Sequence, residues 1–108
     1  MSLKPSLRPN KRYIAFRLEE KAYYDAKEIS KSIIEAYSKL NKDCSKTGLR
    51  LLSHEFNKNK QIGIIVINRE YLNKLKESLE HTKIKTLYTS GVINKVKKKI
   101  DSIVLKEE

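Results

Sequence analysis

Residues Ile62 to Ile67, which read Ile-Gly-Ile-Ile-Val-Ile, are the longest unbroken apolar run in an otherwise polar chain. All but Gly63 are β-branched, which favours extended backbone. With no polar alternation, neither face of such a strand suits water. The run is therefore predicted to be an interior strand covered on both sides. Asn68 follows as a candidate N-cap, its side-chain oxygen accepting a free backbone N–H of a helix that carries Leu72, Leu75 and Leu79 on one face. The stretch from Gln61 to Leu72 thus passes from strand to helix within a residue or two, and the rest of the chain must supply neighbours and covers.

Upstream, residues 1–11 hold both prolines, Pro5 and Pro9, and with Arg12 a basic set of Lys4, Arg8, Lys11 and Arg12 with no acid among them. Proline fixes φ and removes a donor, so this segment reads as an extended basic arm. Arg12 to Leu18 then reads as a strand, with Ile14, Phe16 and Leu18 on one face and Tyr13, Ala15 and Arg17 on the other. A helix is predicted from about Asp25 to Leu40, where Ala26, Ile29, Ile33, Ala36, Tyr37 and Leu40 form an apolar stripe. Residues 41–47 read as a polar loop closed by Gly48, a residue suited to positive φ. Leu49 to Phe56 is strand-like but weakly patterned. After the polar turn of residues 57–60 it pairs with the central run as a hairpin.

The second helix is predicted to end near His81, and Ile84 to Tyr88 to form a fourth strand broken by Ser90-Gly91. Val92 to Leu105 has Ile93, Val96, Ile100, Ile103 and Val104 on one helical face and Lys95, Lys97, Lys98 and Lys99 around the others. The order is strand, helix, strand, strand, helix, strand, then an extra helix. That is the split βαβ plan of a ferredoxin-like, RRM-like α+β sandwich, a four-stranded antiparallel sheet with the first and third strands in its middle. The first two helices cover one face, and the C-terminal helix is the available cover for the other. A chain of 108 residues supports one such domain, spanning 1–108.

Charge narrows the partners. Lys and Arg number 24 against 13 Asp and Glu, a formal net charge of +11, which repels itself and points to a polyanion, nucleic acid first. This exceeds the net charge of about 2 to 8 that suffices for solubility in a small domain. The apolar run is far short of the roughly 20 residues of a membrane-spanning helix. No apolar secretory segment is apparent, and the single Cys44 cannot form an internal disulfide, so a reducing cytoplasm is expected.

Catalytic constellations are scarce. Cys44 and His54 alone do not make a zinc site, and His81 at a helix C-terminus is accounted for by the helix dipole. A small acylphosphatase needs a glycine-rich anion loop after the first strand, where Glu19-Glu20-Lys21 stands instead and repels phosphate. RRM-style reading of single-stranded RNA depends on aromatics in the central strands, and Gly63 to Ile67 has none. Contacts from Lys and Arg to a nucleic-acid backbone, largely independent of sequence, are the predicted mode.

Three stretches carry a family resemblance. Ser6-Leu7-Arg8-Pro9-Asn10-Lys11-Arg12-Tyr13-Ile14-Ala15-Phe16 resembles the opening of archaeal ribonuclease P protein component 2, which belongs to the eukaryotic-type ribonuclease P/MRP small-subunit family. Gly63-Ile64-Ile65-Val66-Ile67-Asn68-Arg69-Glu70-Tyr71 resembles that family's central strand with its Arg at the helix start. Thr86-Leu87-Tyr88-Thr89-Ser90-Gly91-Val92-Ile93 resembles its fourth strand followed by Ser-Gly. The three occur in the family's order and cover nearly the whole chain.

The resemblance implies an RNA-binding subunit of the ribonucleoprotein endonuclease that hydrolyses precursor tRNA to release the mature 5′ end. The RNA performs that chemistry with Mg2+, while the protein binds no cofactor and supplies no catalytic residue. It also implies pairing with ribonuclease P protein component 3 and other protein subunits, in an arrangement that can itself dimerise, and an α/β sandwich with additional helices. RNA contacts are expected at Arg8, Lys11, Arg12 and Arg69, with Ser90 and Gly91 letting backbone approach phosphate at the start of the last helix. Lys95, Lys97, Lys98 and Lys99 are added from charge alone. The rival readings are a general RNA-binding or ribosome-associated module, and a stand-alone small nuclease or phosphatase.

Overall fold

A computed structural model of the chain describes residues 11–18, 25–58, 60–80 and 82–107. Arg8 and the rest of the arm before Lys11, the Glu19 to Tyr24 connection and His81 lie outside the described residues.

The first strand, β1 (Lys11–Leu18), begins one residue earlier than its sequence pattern suggests and takes Lys11 from the basic arm. It is followed by α1 (Ala26–Leu40), β2 (Arg50–Leu51), β3 (Ile62–Asn68), α2 (Leu72–Leu79), β4 (Ile84–Ser90) and α3 (Ile93–Glu107). The strands form one antiparallel sheet in the order β2-β3-β1-β4. The first and third strands are thus central, as a ferredoxin-like sandwich with a C-terminal helix requires.

The alternation of β1 and β3 sends side chains to two separate cores. On one face Ile14, Phe16, Leu18, Ile65 and Ile67 meet Ile29, Ile33 and Tyr37 of α1 and Leu75 and Leu79 of α2. On the other, Ala15, Ile64 and Val66 meet Val96 of α3, with Tyr13, Leu87, Tyr88, Ile93 and Ile100 partly buried around them. Every residue from Ile62 to Ile67 is buried, so the run with no polar alternation is covered on both sides. The C-terminal helix supplies the second cover and occupies the face on which an RRM would stack bases.

Local chemistry explains the element ends. Asp25 caps α1 by accepting a hydrogen bond from the Glu28 amide at 2.9 Å. Gly48 takes φ +70°, a conformation that L side chains rarely adopt, so the loop closes where glycine was expected to close it.

Four expectations are corrected. Asn68 has extended backbone but makes no side-chain capping bond, because the chain enters α2 through a 3-10 turn, Arg69–Tyr71, that changes the geometry of the entry. The strand expected from Leu49 to Phe56 is only two residues long. Ser53–Glu55 turns into a 3-10 helix, and Asn57 bridges Ile62 to close the hairpin. β4 runs through Ser90, so Ser90 is its last residue and not its breaker. Leu40 is 64% exposed, because the apolar stripe of α1 has already left the core at the helix end.

Candidate nucleic-acid interface

Strand register brings the family-like residues to one end of the sheet. Lys11 pairs with Asn68, Arg12 with Ile67, and Tyr13 with Ser90. The start of β1 therefore lies between the exits of β3 and β4, with Arg69 one residue beyond Asn68 and Gly91 one beyond Ser90. Lys11 and Arg69 are exposed, and Arg12 is half-buried.

Arg12 lies across Gly91. Its Nη1 donates to the Lys11 carbonyl at 3.0 Å, and a Cβ built on Gly91 would sit 3.0 Å from that same nitrogen. The absence of a side chain at residue 91 is what lets the guanidinium rest there. The Ser90 hydroxyl oxygen accepts from the Val92 amide at 3.1 Å, which turns the chain from β4 into α3. The first turn of any helix carries N–H groups with no intrahelical partner and the positive end of the helix dipole. Gly91 and Arg12 stand beside that end of α3, so a phosphate arriving there meets a guanidinium and a helix start together.

The α3 lysines do not act as one cluster. Lys97 pairs with Glu55 at 3.0 Å, and Lys99 lies 6.0 Å from the centroid of the Tyr88 ring. Lys95 and Lys98 are exposed, and among the described residues neither has an ion-pair partner. The site residues therefore divide. Lys11, Arg12, Arg69, Ser90 and Gly91 gather at the sheet end, Lys95 and Lys98 extend that surface along α3, and Lys97 is paired with Glu55 while Lys99, itself exposed, lies beside Tyr88.

A feature that local sequence did not reveal adjoins the same end. The Asn68 amide donates to the Thr47 carbonyl at 2.8 Å, which holds residues 47–48 against the exit of β3. Asp43, in the same loop, accepts from the Tyr37 hydroxyl at 2.8 Å and from Lys74 Nζ at 3.1 Å. The Tyr37 hydrogen bond first and the Lys74 contact second hold the Asp43 carboxyl below its ordinary pKa. Residues 43 and 74 have no sequence signal that joins them; only the return of the loop across the sheet end does so.

Among the described residues no three His, Cys, Asp or Glu side chains converge as a metal ion would need, and no helix is long and apolar enough to cross a membrane. The sequence matches no known family model and no curated protein.

Proposed function

We propose that this protein is a non-catalytic subunit of ribonuclease P, in the manner of archaeal protein component 2. It binds the catalytic RNA in the cytoplasm and, with protein component 3, helps it reach the form that cleaves precursor tRNA. The observation that carries this reading is an adjacency. Among the described residues, the three stretches that resemble the family run through β1, β3 and β4, neighbours in the sheet, and Lys11, Arg12, Arg69 and Gly91 meet at one end. Segments far apart in sequence therefore share one surface suited to phosphate. The physical work of that surface is to lower repulsion between RNA backbones as they pack, an electrostatic contribution that weakens as salt rises. Hydrolysis, with its Mg2+, stays with the RNA.

Reconstitution tests the proposal. RNA, component 3 and precursor tRNA are assembled with and without this chain, and cleavage is followed at limiting magnesium. Faster cleavage with the chain present is expected, and an unchanged rate sinks the proposal.

One observation favours a second reading, a general RNA-binding module. The sheet face is covered by α3, so contact falls to cations that read backbone and not base. Selectivity separates the two. RNA recovered with the protein from cells should be dominated by one structured species under the first reading and be a broad mixture under the second.

A further inference from the structure

We infer that the phosphate-contacting surface continues past the strand exits onto residues 41–48, where Lys42 and Lys46 contact a second stretch of backbone in the same folded RNA. This deepens the RNA-binding reading above and rests on it.

The two halves of the surface are physically joined. Thr47 is bonded to Asn68, the residue before Arg69, and a Cβ on Gly48 would lie 3.1 Å from Asn68 Oδ1. The loop is thus held against the strand that delivers Arg69. On its far side, Asp43 links the end of α1, through Tyr37, to Lys74 in α2. Lys74 also lies 5.7 Å from the centroid of the Tyr71 ring. Lys42, Lys46 and Lys74 border one open depression of about 480 Å³ together with Leu40, Asn41 and Asp43.

Charge within the depression is unbalanced. Asp43 is its one carboxylate, and Lys74 already answers it. Lys42 and Lys46 are exposed and, among the described residues, have no ion-pair partner. Arg69 and Lys11 continue the positive charge toward Arg12 and the start of α3. Cations spread in separated groups over a broad end suit a ligand whose charges recur along a backbone. A compact acidic peptide would satisfy one group and leave the others. The two groups also belong to different layers, one to α1 and α2 and the other to the start of α3, so one extended strand does not reach both as readily as a folded RNA does.

Binding of a short RNA hairpin to the full chain, measured at several salt concentrations, tests the inference. The variants are Lys42→Ala/Lys46→Ala and, separately, Lys11→Ala/Arg12→Ala/Arg69→Ala, with thermal melting to verify each fold. The loop variant is expected to melt as the parent does. Its slope of log affinity against log salt should be shallower by about 1.4 to 1.8, from roughly 0.7 to 0.9 per lost phosphate contact. An unchanged slope in the loop variant, with a reduced slope in the strand-end variant, overturns this inference and leaves the RNA-binding reading standing. No salt-dependent binding by the parent overturns both. Unchanged RNA binding in the loop variant, together with loss of its binding to polyglutamate, assigns the loop surface to an acidic protein and also overturns the inference.

Discussion

Gly63 and Gly91 show how one missing Cβ serves two different purposes. Gly63 lies in the buried strand β3, opposite Phe16, and a Cβ there would stand 2.8 Å from Phe56 and 3.0 Å from Phe16. Those rings stack with centroids 6.2 Å apart and planes 12° from parallel, so neither can turn away freely. Gly63→Ala is expected to lower stability by about 1 to 3 kcal/mol through overpacking, measured as a shift of the urea midpoint with unchanged m. An unchanged midpoint would mean that the rings yield. At Gly91 the tight neighbour of an added Cβ is the far end of a flexible arginine, the Lys11 carbonyl oxygen lying at an ordinary contact distance of 3.9 Å. Gly91→Ala should therefore leave the melting temperature unchanged while displacing Arg12 and weakening RNA affinity at low salt. Equal affinity in the two proteins would remove Arg12 from the interface.

At the scale of elements, the loop after α1 is bound to its neighbours by polar contacts. Asn41 Nδ2 donates to Ser78 Oγ at 3.2 Å, Ser78 Oγ donates to the Lys74 carbonyl at 2.8 Å, and Asp43 joins Tyr37 to Lys74. The Asp43 carboxyl is held below its ordinary value, so the unfolded chain takes up this proton at a higher pH than the folded one. The stabilisation is then complete above the unfolded-state pKa and is lost as pH falls through the lower folded-state value. Asp43→Asn is expected to melt below the parent at neutral pH, with the gap closing as pH falls through the folded-state value and both states of the parent become protonated. A gap independent of pH would assign the difference to packing instead. None of this was legible beforehand. The cover on β3 could be read from the lack of alternation in Ile62 to Ile67, because a single strand's pattern reports its own two faces. The linkage of Asp43 to Lys74 depends on where a loop lands. The short β2 escaped for a related reason, since Leu51 and Leu52 point to opposite cores and leave no pattern longer than two residues.

Across the whole molecule, the same +11 charge has opposite consequences for the free and the bound protein. Net charge could be read from composition, but its division could not. Lys97 is turned toward Glu55 and Lys99 toward Tyr88, while Lys95 and Lys98 have no ion-pair partner among the described residues, an outcome set by how α3 lies on β1 and β4. In the free protein, like charges repel one another, and salt shortens the reach of that repulsion to about 10 Å at 0.1 M. Its melting temperature is therefore expected to rise as salt is added. Bound RNA stabilises by mass action, by about 2.7 kcal/mol at a free concentration 100 times Kd. That increment depends on an affinity that salt weakens. If Lys11, Arg12, Arg69, Lys95 and Lys98 each meet one phosphate, doubling the salt should lower affinity by at least about 10-fold, and by more with Lys42 and Lys46 added. Melting curves taken with and without a structured RNA should thus converge with added salt, the free protein's midpoint climbing while the RNA-induced shift shrinks. A shift that persists undiminished at high salt would require contacts other than these cations, and a free-protein midpoint that falls with salt would mean that the chain's charges are already balanced in its fold.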